Sequence, residues 1–239
     1  MHVEFDATTS ALEDTGDGII SLTHTAAGND RAAFAGGYGQ LFNFNTIAHT
    51  SITYGGTGMA EQWDVANGQS GRTDQTNAGY TLAGPATGVQ TVTSTINTTT
   101  PDRQFLHVIT MTAVHQTTPV GTPVTGLQNL TPESLSVTVG SVGADDLVVD
   151  LFGGELEGAS VPTAGADQTA HTEQSIGGTK TNTSRQLGTA GGVMSWSATD
   201  INNAMLGAIA FKPAAAAADK GTILRRTHRP RAFAPGLAR

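Results

Sequence analysis

The sequence predicts an all-β chain, an antiparallel β-sandwich of the jelly-roll type with an extended C-terminal arm, and three observations predict it. Threonine stands out at 37 of 239 residues and is accompanied by 30 glycines. β-branched residues favour extended strands, and glycines favour the turns between them. Apolar residues recur with a period of two in short runs bounded by turn signals, and no segment shows a convincing amphipathic helical stripe. Charged residues are only 13%, too few for long solvated helices, and aromatics at 5% leave the core to Val, Ile, Leu, Ala and Met.

In chain order, residues 1–18 mix polar and apolar positions and end in a turn-rich Asp14-Thr15-Gly16-Asp17-Gly18. Ile19–Thr25 reads as a strand and Gly28-Asn29-Asp30 as the turn after it. Ala32–Gly39 follows, and its small residues predict that another sheet or chain approaches closely. Ser51–Tyr54 is a short strand with Met59–Val65 as its hairpin partner, and 66–79 is polar and glycine-rich, an exposed loop. Val89–Ile96 alternates. Phe105–Thr112 is apolar on both faces, as a central strand would be. Residues 116–132 carry three prolines and read as an irregular crossing. Leu135–Val139 and Asp146–Phe152 are strands, 153–172 is a long Gly/Ala/Pro loop, and Val193–Ala198 and Ala204–Phe211 close the body. Ten to thirteen strands result, forming one sandwich domain over residues 1–212.

The alanine run Ala214–Ala218 then separates two electrical characters. Residues 1–211 hold five Lys/Arg against nineteen acids, a net of −14. From Lys212 onward seven Lys/Arg face one acid, a net of +6. An acidic body repels phosphate backbones, so nucleic acid is disfavoured as a partner. No cysteine is present, which excludes a disulfide framework and a thiolate metal site. Met1–Thr15 has neither the basic nor the apolar region of a signal peptide, and no apolar window is long enough to span a membrane.

The succession SLTHTAAGNDRAAFAGGYG, SITYGGTGM, GVQTVTSTI, HQTTPVGTP, DLVVDLF, MSWSATD and AIAFKP resembles β-sandwich modules of the concanavalin-like or jelly-roll type found in bacteriophage virion proteins and bacterial surface proteins. The resemblance covers about residues 19–213. It implies a structural or adhesive role and brings no catalytic residues with it. The arginine-rich ending departs from the generic module.

Catalytic constellations are weak. No Gly-x-Ser-x-Gly elbow occurs. The paired carboxylates Glu61 with Asp64 and Glu155 with Glu157 do not match the Glu-x-Asp-x-x-Glu run of laminarinase-type glycosidases, and the reading is of a protein that is not an enzyme. The histidines are scattered, and His107, set in an apolar strand, reads as a hydrogen-bonded core residue. Asp145-Asp146 reads as a turn cap rather than an ion site, so no metal or other cofactor is expected. Trp63 and Tyr80 are the candidates for a sugar-stacking platform, with loops 66–79 and 153–172 around it.

The arm carries the stronger expectation. Arg225, Arg226, Arg229, Arg231 and Arg239 are interleaved with Phe233, Pro235 and Leu237. Guanidinium groups pair bidentately with carboxylates, and an extended apolar-proline peptide can lie in a groove. These residues are expected to bind a major capsid or tail protein lattice and to place the body on the outside of a virion, with copies of the chain associating through free strand edges. The other reading is a carbohydrate-binding adhesin domain that holds a host surface glycan.

Overall fold

The computed structural model describes residues 1–14, 16–42, 46–68, 74–129, 133–156 and 160–215. The all-β, antiparallel reading holds throughout them. The strands of the first half are β1 (Glu4–Asp14), β2 (Ile19–Ala26), β3 (Ala32–Leu41), β4 (His49–Tyr54), β5 (Thr57–Gly58), β6 (Ala60–Gly68), β7 (Asp74–Ala83), β8 (Gly88–Ile96) and β9 (Arg103–Thr112). Those of the second are β10 (Val124–Asn129), β11 (Ser134–Thr138), β12 (Leu147–Leu156), β13 (Thr163–Ala164), β14 (Thr169–Ala170), β15 (Gln174–Ile176), β16 (Thr179–Leu187), β17 (Val193–Ser197) and β18 (Ile201–Phe211).

These strands make four antiparallel sheets, consistent with the predicted β-sandwich. The first inner sheet runs β1-β9-β3-β7-β6 and the first outer sheet β2-β8-β4-β5. The second inner sheet runs β10-β18-β12-β16-β14, with β15 also on β16, and the second outer sheet runs β11-β17-β13. Three apolar layers separate them. Ile20, Ile52, Tyr54, Val92, Leu106 and Val108 fill the space between the first outer and inner sheets. Phe34, Trp63, Ile109, Val149, Leu151 and Phe211 lie between the two inner sheets. Val137, Val148, Phe152, Met194, Trp196 and Leu206 close the second pair.

An inner sheet flanked on both sides must bury both faces of its strands, and every residue of β3 is buried. The close approach predicted for Ala32–Gly39 is found: a Cβ on Gly36 would lie 3.0 Å from Leu151 Cδ2, in the opposing inner sheet. The both-faces-apolar reading of Phe105–Thr112 is met by β9, whose Gln104–Met111 are all buried.

The two halves are wound alike. In each, the first, last, third and seventh strands line up in the inner sheet, and the second, eighth and fourth in the outer. Registers agree residue by residue. Gly36 pairs with Gly79 and His107, and Leu151, 115 positions later, pairs with Thr183 and Gly207. Residues 20–39 lie on 135–154 without a gap, and Ser21/Ser136, Thr23/Thr138, Gly28/Gly143 and Asp30/Asp145 are identical across it. The inner sheets face each other with β3 against β12, β9 against β16 and β18 against β7, the arrangement of a pseudo-twofold axis parallel to the strands.

Several segments differ from their predicted form. Residues 4–14 are a full edge strand paired to β9, half-buried along most of its length. The stretch 66–79 is mostly strand, and Gln75–Tyr80 are buried despite their polarity. The crossing 116–132 contains β10, and the stretch 153–172 contains the end of β12 with β13 and β14. Met59–Val65 is not the partner of Ser51–Tyr54. Thr57–Gly58 pairs with β4, and from Ala60 the chain has crossed to the inner sheet beside β7. β16 carries no strand signal in the sequence, because TKTNTSRQL has no apolar alternation, yet most of it is buried.

Candidate functional site

The seam between the two inner sheets has two flanks, related by the pseudo-twofold axis and filled differently. On the first, Trp63 from β6 lies over two glycines. A Cβ on Gly79 would come within 2.3 Å of its Cη2, and one on Gly207 within 2.2 Å of its Cε2. Its ring stacks on Phe34 at 5.8 Å, and its Nε1–H donates to Asn77 Oδ1 at 2.9 Å. Asn77 Nδ2 in turn donates to the Leu151 carbonyl at 3.1 Å, so the buried amide ties one half to the other.

This overturns the sugar-stacking platform. Trp63 is 6% exposed and Tyr80 3%. The two rings also lie on opposite faces of the inner sheet, Trp63 in the layer between the halves and Tyr80 in the layer towards the outer sheet. Tyr80 Oη–H donates to Glu61 Oε2 at 3.1 Å. Isolated aromatics in an alternating strand follow the buried face, and here each inner sheet buries both.

On the second flank the residues equivalent to Gly207, Gly79 and Thr81 are His107, Thr183 and Arg185. Val120, on the first flank, is replaced by Phe5. His107 hydrogen-bonds Thr181 Oγ1 at 2.8 Å, as a core histidine should, and burial pulls its pKa down to about 3. Arg185 places its guanidinium 4.0 Å over the Phe5 ring, and its Nη1 donates to His171 Nε2 at 3.3 Å. His171 stacks on Phe5 with centroids 5.1 Å apart and 19° between planes. Burial, then the neighbouring Arg185 charge, brings the His171 pKa down to about 4, so a neutral ring accepts from the arginine at physiological pH.

Of these groups Phe5 and Arg185 line a groove of about 640 Å³ that straddles the halves, with Val3, Glu4 and Phe5 on one wall and Asp167, Thr169 and Arg185 on the other. Part of the 153–172 segment therefore borders a groove, on the other flank from Trp63.

Where β3 and β12 end, a polar cluster links the inner sheets. Arg103 Nη1 donates to Gln40 Oε1 at 3.1 Å and to Thr179 Oγ1 at 2.6 Å. Gln40 Nε2 donates to Glu155 Oε1, which holds this carboxylate in a structural tie between the sheets rather than in an acid–base pair. Its predicted partner Glu157 lies outside the described residues. Glu61 and Asp64 are engaged separately, Asp64 Oδ2 accepting from His49 N at 2.8 Å. Asp146 caps its turn as predicted, accepting from Gly143 N at 2.8 Å and from Lys212 Nζ at 2.6 Å. Among the described residues, no group of three or more His, Cys, Asp or Glu is placed to hold a metal ion.

The predicted arm residues Arg225, Arg226, Arg229, Arg231, Phe233, Pro235, Leu237 and Arg239 lie outside the described residues. The described chain reaches Ala215 just past a bridge between Pro213 and Val114, with Ala214 N donating to the Ala113 carbonyl at 2.7 Å. Phe5, His171 and Arg185 were missed by the sequence reading. Only the rarity of the positive charge, one of five Lys/Arg before Lys212, sets Arg185 apart. Comparison of the chain with protein families, with curated proteins and with solved structures finds no match.

Proposed function

We propose that the chain is a structural protein of a bacteriophage particle, a capsid decoration or other surface-attached module, moored by residues 213–239 to a capsid or tail protein lattice. The observation that carries this reading is the segregation of charge, net −14 before Lys212 and net +6 from it onward. A doubly buried four-sheet stack suits a rigid block, since both inner sheets are covered on each face. The winding order of each half supports two jelly rolls back to back, which agrees with the fold that the resemblance implies. Arginines pair bidentately with carboxylates of a lattice, and many such contacts at high local concentration add avidity.

The test compares the full chain with one ending at residue 215 in binding to particles that lack the protein. The shortened chain is expected to keep its β-sheet circular dichroism and to lose particle association. Replacing Arg225, Arg226, Arg229 and Arg231 together by Gln is expected to reproduce that loss. Full occupancy by the shortened chain would sink the proposal.

A further inference from the structure

We infer that the groove at Arg185 is a binding site for an acidic saccharide of the hexuronate class, with the sugar carboxylate on the Arg185 guanidinium. The site needs both halves of the chain and does not depend on how residues 213–239 attach it.

Arg185 is half-buried, and among the described residues no carboxylate stands within ion-pair distance of it. A guanidinium carries five N–H donors, and the one hydrogen bond Arg185 donates to a described side chain goes to His171. Burial lowers its pKa, which reflects a positive charge held away from water without a counter-ion. Phe5 and neutral His171 fix the plane of that guanidinium, so its free edge is pre-organised for a bidentate anion.

The pseudo-symmetry gives an internal control. At the equivalent place on the other flank stand Thr81 and Val120, neither charged nor aromatic, and there Thr81 Oγ1 accepts from Gln62 Nε2 at 2.9 Å. The common winding of the halves therefore does not require Arg185 or Phe5. The chemistry belongs to one flank only.

The rest of the groove selects the ligand. Its volume, about 640 Å³, falls within the roughly 300–1,000 Å³ of small-molecule sites. Glu4 and Asp167 are exposed at the rim and accept hydrogen bonds without offering a positive charge, and Thr169 adds a hydroxyl. One cation with two rim carboxylates disfavours a polyanion such as an acidic peptide. It suits a ligand with one carboxylate per ring and many hydroxyl donors.

The test is calorimetric titration of the full chain with digalacturonate, with its methyl ester and with a neutral galactose disaccharide at low salt. Digalacturonate is expected to bind at least tenfold more tightly than either neutral sugar, and R185Q is expected to remove that difference. Should R185Q fail to fold, the acid-against-ester comparison on the unaltered chain decides alone. Equal affinity for acid and ester, full affinity in a folded R185Q, or binding of an oligoglutamate peptide in place of any sugar would each overturn the inference.

Discussion

The two flanks of the central seam occupy equivalent places in one repeated architecture and reach opposite ends. On one, an indole laid over Gly79 and Gly207 seals the space between the halves. On the other, His107 and Thr183 stand where those glycines would be, and the gap beyond them remains an open groove lined by Phe5 and Arg185. The lesson is that sheet winding fixes where side chains can meet, while the residue at each meeting point decides whether the place becomes core or site.

The largest effect should come from opening the sealed flank. Trp63→Ala removes a buried ring and the partner of Asn77, and is expected to cost about 3–5 kcal/mol in urea unfolding. Phe5→Ala, on the half-buried side, should cost only about 1 kcal/mol. Equal costs would show that the flanks do not differ in packing.

Acid comes next. His49 and His107 are buried, with pKa values lowered to about 3 by desolvation. A depressed folded-state pKa means stability that is complete above the unfolded value near 6.5 and is lost as pH falls below it. By pH 5 each histidine is expected to cost about 2 kcal/mol relative to pH 7. Asp150 acts in the opposite sense: burial raises it to about 6, so its penalty, present at pH 7, is relieved as pH falls through that value. His107→Gln should flatten the acid limb of a stability-against-pH curve, and an unchanged limb would reject this assignment.

A smaller loss is expected at the axis. A Cβ on Gly153 would meet Tyr38 Cδ2 at 2.2 Å, and Gly153→Ala should destabilise by about 1–3 kcal/mol. The smallest effect belongs to the open flank. Arg185→Gln is expected to cost no more than about 1 kcal/mol, from the contact with Phe5 and the hydrogen bond to His171, because the charge it removes has no ion-pair partner there. A large loss would mark Arg185 as a structural residue.

The strands that sequence reading placed well, Val89–Ile96, Phe105–Thr112, Asp146–Phe152 and Ala204–Phe211, announce themselves through apolar residues. β7 and β16 escaped it, and they occupy the same position in the two halves. Their burial rests on polar pairings across the seam, such as Asn77 with the Leu151 carbonyl and Thr181 with His107, which no local pattern displays. The gap-free match of 20–39 on 135–154 was the signal that would have shown two halves and hence four sheets. For the groove no such signal exists. His171 and Arg185 meet within the second half, and Phe5 joins them only because the halves face each other.

One detail at the pseudo-axis reaches further. Gly36 receives Leu151 and Gly153 receives Tyr38, so bump meets hollow twice, between positions that are each other's counterparts. Two copies of the first half brought together the same way would set hollow against hollow and tyrosine against tyrosine. Neither half can therefore satisfy itself with its own kind, and divergence after repetition has made the internal pairing exclusive. The fit therefore excludes pairing of like halves from neighbouring molecules, however densely they are crowded.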